Sequence, residues 1–328
     1  MGHNDNRTPL IEPVATPDLW RCCRSVGSAF TGALRPRRPD RRFLASLPEH
    51  GLPRGTTTVE LTVLTQNAKS VPTAAVVEGV FTPRRIDSAM TAFVVRHPTA
   101  TFLVDPGICV DVRDRAIVEL PRILRAAVTP PKDVIDIGES LRRSGIEANA
   151  IDFALPTHLH WDHIAGLLDL PGLALRLHRP EHGWAMEGPV APVGGVRHAV
   201  RERPLDFYDL DGPPVLTFAR SHDLFGDGAV VLVDLSGHTP GSIGLLLRTD
   251  RGPVLLAGDA VWHHLQVEEL RQKSGYPGML ADDDRTETWR TVHRLHAIRG
   301  AVRIIPSHDH RAACAWHADA HTPQSSKF

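Results

Sequence analysis

His158, His160, Asp162 and His163 place three imidazoles and a carboxylate within six residues, directly after the mostly apolar run 151–155. Neutral imidazole and carboxylate are the donors that zinc and similar borderline metals take. Four such groups this close together are hard to justify as packing. If they share a loop at the end of a strand, they supply half of a two-metal site. The chemistry expected of such a chain is metal-dependent hydrolysis.

The remainder of the chain offers further strand ends. Runs 59–64, 92–95, 101–105, 151–155, 173–177, 215–219, 229–235, 242–248, 253–257 and 302–305 read as strands bounded by turn residues. Residues 135–144 read as a helix stopped by Gly145. Residues 286–298 carry Trp289, Val292, Leu295 and Ile298 near helical spacing, and Gly300 ends them. That order predicts two sheets packed face to face with helices outside. Residues 1–56, rich in Pro, Arg and Gly, read as an N-terminal extension with one amphipathic piece at 18–34. The extension is expected to pack on the main domain, residues 57–310, or to cover an entrance. Residues 311–328 read as a polar C-terminal tail.

Composition narrows the partners. The 328 residues carry a formal net charge of −1, which gives no reason to expect a nucleic-acid partner. The arginine-rich stretch 35–42 reads as a solvated connector. No apolar run reaches the roughly 18 residues of a membrane span, so no membrane partner is expected. The first ten residues lack a basic start followed by an apolar core, so a secretory signal is not expected either. Cys22, Cys23, Cys109 and Cys314 show no CxxC spacing, and reduced thiols in a cytoplasmic protein are the simpler expectation. The N-terminal extension is a candidate surface for a homodimer.

Three more chemistry-bearing segments follow apolar runs. They are Gly237-His238-Thr239-Pro240-Gly241-Ser242, Gly258-Asp259-Ala260 and Pro306-Ser307-His308-Asp309. Loops at strand ends are where a rigid scaffold presents functional groups. Together with the opening cluster they could form two adjacent sites joined by a shared carboxylate. Two metals about 3.5–4 Å apart lower the pKa of a bridging water and clamp developing charge. No Gly-x-Ser-x-Gly elbow competes as a nucleophile.

In order and spacing, these motifs resemble the metallo-β-lactamase-fold hydrolase superfamily. From His163 it is 75 residues to His238, then 21 to Asp259 and 49 to His308. The resemblance covers about residues 57–310. It implies an α+β four-layer αββα sandwich with the metals at one edge of the two β-sheets. Carried over, His158, His160 and His238 hold one metal, Asp162, His163 and His308 hold the other, and Asp259 bridges them. The ions implied are two divalent metals, zinc first, with iron, manganese or cobalt also suited to such donors. His222 sits in a second Ser-His-Asp tripeptide, but His308 follows a strand-like run and comes after Asp259, as in the superfamily. Asp105, before Pro106-Gly107, matches a position that orients ligand loops; a plain turn-forming aspartate is the equal alternative.

Within the superfamily, the runs Asp223-Leu224-Phe225-Gly226-Asp227-Gly228, Ser236 to Ser242 and Gly258 to Ala260 are similar to the N-acyl-homoserine lactonase group. The substrate pocket is expected from stretches 179–208 and 261–280, with Trp161, Trp184, Trp262 and Tyr276 as candidate lining residues. That group commonly has a tyrosine three residues after the bridging aspartate, where this chain has Trp262. An indole N–H donates a hydrogen bond but is no acid near neutral pH. Tyr276 is a candidate substitute.

The implied reaction is opening of a lactone, or cleavage of a related small-molecule ester, by metal-bound hydroxide. Asp162 or a metal-bound water would handle the proton. A thioester hydrolase of glyoxalase II type shares the ligand set but needs a cationic glutathione clamp near the C-terminus, which the tail does not obviously provide. A phosphodiesterase and a non-catalytic metal-binding module are the remaining alternatives. Intact ligands at every motif position argue against the last.

Overall fold

Central strands that are apolar on both faces set the architecture. The structure, a computed structural model, describes residues 19–64, 67–117, 125, 129–130, 133–187 and 197–320. The outer parts of the expected extension and tail, residues 1–18 and 321–328, lie outside the described residues. The strands among the described residues are β1 (Glu60–Val63), β2 (Lys69–Pro72), β3 (Arg85–Ser88), β4 (Phe93–His97), β5 (Ala100–Val104), β6 (Phe153–Ala154) and β7 (Ala174–His178). They continue with β8 (Leu205–Tyr208), β9 (Ser221–Asp223), β10 (Val230–Asp234), β11 (Ile243–Thr249), β12 (Gly252–Leu256) and β13 (Arg303–Ile305). One sheet runs β1-β4-β5-β6-β7-β8 and a second runs β13-β12-β11-β10-β9, while β2 and β3 pair apart. The first is antiparallel from β1 to β5 and parallel from β5 to β8.

Side chains on successive residues of a strand face opposite sides of its sheet. Phe93, Val95, Phe102 and Val104 therefore share one cluster with Val230, Leu232, Ile243, Leu245, Val254 and Leu256, between the two sheets. Their neighbours Val94 and Leu103 face the other way, into a cluster with Ile137 and Leu141. On the second sheet, Val231, Leu246 and Leu255 face Trp289, Val292, Leu295 and Ile298. Three apolar layers thus hold four layers of structure, the αββα sandwich expected.

Local signals place the outer helices. Asp136 caps the helix Ile137–Arg143 by accepting the Glu139 N–H, and Gly145 beyond it takes a φ of 65°. Asp284 caps the helix Arg285–Ile298 through the Thr286 and Glu287 N–H groups. In the extension, the helix Leu19–Leu34 packs on the helix Gly275–Ala281, and the helix Arg41–Ser46 packs on Arg285–Ile298. Gly275 is needed there, because a Cβ would lie 2.5 Å from the Ala29 backbone nitrogen.

Some expectations were not met. Residues 215–219 do not extend as a strand; Val215 and Phe218 close on each other across a tight turn in which Leu216 takes a φ of 52°. Val215, Leu216 and Phe218 are buried in the outer core without sharing a sheet face. Residues 310–320 form a helix instead of a polar tail. Ala312, Ala313 and Trp316 recur at helical spacing and dock on the inter-sheet core, and the Trp316 indole N–H donates to the Leu61 carbonyl. Residues 179–187, expected within a pocket loop, are helical.

Candidate metal centre

The opening cluster sits where β6 ends. The chain leaves the sheet through Thr157 and reaches a single helical turn, Trp161–Ile164, with His160 at its N-cap. The turn after β10 brings His238, the end of β12 brings Asp259, and the end of β13 brings His308. All the predicted ligands converge. His160 Nδ1 lies 2.9 Å from His238 Nε2. Asp259 reaches both sides, with Oδ2 3.4 Å from His238 Nε2 and Oδ1 3.3 Å from His163 Nε2 and 3.2 Å from His308 Nε2. Asp162 Oδ2 is 3.5 Å from His308 Nε2. The donor atoms fall into tight groups: His158, His160 and His238; His158, His163 and Asp259; and Asp162, His163 and His308.

Behind these atoms lies a layer of buried hydrogen bonds. Asp105 is fully buried at a φ of 50° and accepts from Thr157 N, Thr157 Oγ1, His163 Nδ1 and Ser307 Oγ. It therefore ties together the loop that carries His158 to His163 and the loop that carries His308, as well as forming a turn. Glu181 accepts from Leu159 N on one oxygen and from Thr239 Oγ1 and Gly241 N on the other, tying the first loop to the His238 turn. His238 Nδ1 faces Asp282 Oδ1 at 2.9 Å, and His308 Nδ1 donates to the Ala89 carbonyl. Each ring is thus turned by its rear nitrogen, which leaves the other nitrogen for the cluster.

Charge and burial separate the imidazoles. Burial, and then the neighbouring His163 and His160, hold His158 well below its ordinary pKa. Burial and His238 do the same to His160. Burial also works against protonation of His163, but Asp105, Asp259 and Asp162 outweigh it and hold it well above the usual value. Burial pushes the Glu181 carboxyl up to about 7 against its hydrogen bonds.

The chain's own atoms do not complete the cluster. His158 Nε2, His163 Nε2 and Asp259 Oδ1 are buried and have no hydrogen-bond partner. Such orphaned groups are costly unless something else satisfies them. Three lone-pair donors aimed at shared points, ringed by more imidazole and carboxylate, fit divalent cations.

The aromatic residues divide. Trp184 meets the His160 ring edge-on, with centroids 5.7 Å apart. Trp262 donates its indole N–H to Asp259 Oδ2 at 2.7 Å. Trp161 is buried within the core cluster. Tyr276 is half-buried on the helix against which the N-terminal helix packs. His222 lies apart on β9, stacked on Tyr208. Glu181, Lys273 and Asp282 were not anticipated; the only cue in the chain was that Glu181 follows β7 almost at once.

Comparison with known proteins shows the family. The profile of the metallo-beta-lactamase superfamily matches residues 88–308. An N-acyl homoserine lactonase, AttM, from Azorhizobium caulinodans is 24% identical over 222 residues, covering 66% of this chain and 80% of that protein. A gamma-lactamase, FDB1, from Fusarium pseudograminearum is 25% identical over 258 residues, 72% of this chain and 61% of that one. Among solved structures, an N-acyl homoserine lactone hydrolase with N-hexanoyl-L-homoserine at its catalytic metal centre superposes with a TM-score of 0.58. It shares 15% identity and covers 79% of this chain and 96% of its own. No helix among the described residues is long and apolar enough to cross a membrane.

Proposed function

The chain belongs to the metallo-beta-lactamase superfamily of hydrolases, and from that premise we propose that it opens a lactone ring, or cleaves a closely related carboxylic ester, with two divalent cations. His158, His160 and His238 would hold one cation, and Asp162, His163 and His308 the other, with Asp259 between them. The three orphaned donors, His158 Nε2, His163 Nε2 and Asp259 Oδ1, carry this reading. Zinc is the ion best matched to mixed imidazole and carboxylate donors, and iron, manganese or cobalt are also compatible. When bound, the cations would supply a water of lowered pKa and polarise the carbonyl under attack.

The chain's own residues do the rest. Asp105 and Glu181 fix the ligand loops, so the donors need no rearrangement during turnover. Asp162 is more exposed than Asp259, with 16% of its side chain accessible against 6%, and is placed to hold a proton at the edge of the cluster. Trp184 beside His160 supplies an apolar wall suited to an acyl chain. Trp262 has its single donor engaged by Asp259, so that position holds the carboxylate and does not reach for the substrate. The helix His310–Ala320 is docked through Trp316 and holds a single arginine, Arg311, which gives little support to a cationic glutathione clamp.

A panel of substrates tests the reading. Metal-loaded protein is offered an N-acyl homoserine lactone, a γ-lactam, an aryl ester, a glutathione thioester and a phosphodiester. The lactone is expected to turn over fastest. A protein with two metals bound that hydrolyses none of these, or prefers the thioester, overturns it. Unchanged activity in a verified metal-free His158→Ala/His163→Ala protein would remove the site from the chemistry.

A further inference from the structure

Lys273 is the most unexpected side chain near the centre. Its ammonium is 0% exposed, although lysine is among the residues least often buried. Nζ lies 2.5 Å from Asp282 Oδ1 and 2.9 Å from His238 Nδ1, and Asp282 Oδ1 is itself 2.9 Å from the same His238 nitrogen. These three atoms form a closed triangle directly behind a predicted metal ligand. Nζ also sits 4.7 Å from the centroid of the Trp262 ring, whose N–H is held by Asp259. One cation thus touches supports of both His238 and Asp259.

We propose that Lys273 is a positioning residue of the metal centre, acting with Asp282 to set the orientation and donor strength of His238 and with Trp262 to steady Asp259. This rests on the proposed metal site. Burying an ammonium is expensive, and packing alone gives no reason to place one here. An apolar residue of similar length would fill the space at lower cost. What the ammonium adds is specific. His238 can offer Nε2 to a metal only if its proton is on Nδ1, and that proton then points to Asp282 Oδ1. The 2.9 Å approach of Nζ to Nδ1 is then two donors converging on that one oxygen, not a hydrogen bond between them. A carboxylate on the rear nitrogen raises the basicity of a ligating imidazole. Lys273 donates to the same oxygen and draws off part of its charge. His238 would then offer a neutral imidazole of moderate donor strength, and a cation held in front of it would keep more of its Lewis acidity. The ammonium also lies against the ring of Trp262, a favourable cation–π contact.

The surroundings hold Lys273 in place. Arg285 Nη2 donates to the Lys273 carbonyl, and Arg285 Nη1 lies 3.7 Å from the second oxygen of Asp282. The backbone pairs with the chain near Val77, and Ser274 N donates to the Val76 carbonyl. At the next residue Ser25, on the N-terminal helix, donates its hydroxyl to the Gly275 carbonyl. The N-terminal helix and the strip around Val77 both lie outside the stretch that matches the superfamily profile, residues 88–308. They brace the segment that carries Lys273.

The test compares the wild type with Lys273→Met and Lys273→Met/Asp282→Asn. The double variant removes both charges while the introduced amide oxygen can still accept the His238 proton, so it guards against a single variant that fails to fold. Each protein is titrated with zinc against a chromophoric chelator, and its cobalt(II) form is read by visible absorption. Wild type binding two metals is the control; if it binds none, the metal-site reading itself fails. Expected for the variants are an affinity for one of the two ions changed about ten- to a hundred-fold, the range for outer-shell partners, and displaced cobalt bands. If a folded variant keeps wild-type affinities for both ions and an unaltered cobalt spectrum, with only its melting temperature lowered, Lys273 is structural and the proposal is wrong. Full recovery of affinity and spectrum in the double variant, where no ammonium remains, would support the charge balance at Asp282 and overturn the part assigned to Trp262.

Discussion

The Trp262 indole N–H donates to Oδ2 of Asp259 at 2.7 Å, three residues along the same loop. This bond commits the ring's one polar atom to the carboxylate that lies between the two groups of imidazoles. A lactonase-like chain would commonly place a phenol here, and a phenol can act as an acid where an indole cannot.

Replacing this side chain should separate the two roles. Trp262→Phe keeps a ring but loses a hydrogen bond to a charged acceptor, worth about 1.5–3 kcal/mol. Metal retention after dialysis should fall while the fold persists. Trp262→Tyr should raise kcat on homoserine lactones above that of Trp262→Phe, because a phenol can protonate or hydrogen-bond the departing oxygen. Equal kcat values for the two variants would show that this position has no part in the chemistry.

Asp105 gathers four donors from two loops onto two oxygens. Asp105→Asn keeps the shape and tolerates the left-handed backbone, but it turns an acceptor into a donor facing donors. Such a mismatch in a buried site costs about 1–3 kcal/mol, more for charged groups. Thermal unfolding should show the loss, and metal content should fall with it. A variant with normal metal content would return Asp105 to the role of a turn residue.

The contrast between these residues and the candidate ligands explains what the sequence made legible. His158 to His163 stood out because metal donors are rare together, and His238, Asp259 and His308 each follow an apolar strand. The sheet order then brings those strand ends to one edge. Glu181, Lys273 and Asp282 left no such mark. Charged residues usually read as solvated, and these became structural only because the fold buried them against loops distant in the chain. The same limit hid the helix His310–Ala320, whose few apolar residues are outnumbered by polar and small ones. Residues 215–219 misled in the opposite sense. Apolar content matched a strand, but burial in a turn needs the same content.

Two glycines test how closely the loops must approach. A Cβ on Gly241 would sit 2.3 Å from Glu181 N and 2.5 Å from its Cα, and backbone cannot swing aside. Gly241→Ala should therefore cost about 1–3 kcal/mol, as overpacking does, and weaken metal binding by spreading the His238 turn. Gly183, in the helix Arg179–Glu187, has no atom within 4 Å of the point where a methyl group would lie. Gly183→Ala should be neutral or stabilising by about 0.5–1 kcal/mol. Denaturant midpoints for the two variants give the comparison; similar values would mean that the close approach at Gly241 has no energetic weight.

Glu181 ties the same turn to the first ligand loop and carries a pH dependence. Burial, opposed by its hydrogen bonds to Thr239, Leu159 and Gly241, raises its pKa from 4.5 to about 7 in the folded chain. A carboxyl whose folded pKa is raised contributes stability that is fully present below the unfolded value. That contribution is lost as pH climbs through the folded value, because the unfolded chain ionises first and more easily. Between about pH 4.5 and pH 7 the loss should be on the order of 3 kcal/mol. Glu181→Gln cannot ionise, so the stability of the wild type should fall relative to the variant across that window. Melting temperatures of both proteins, measured from pH 5 to pH 8 after metal removal, make the comparison, with effects common to the histidines cancelling between them. Parallel curves would mean that Glu181 stays ionised across the range and that its hydrogen bonds outweigh its burial.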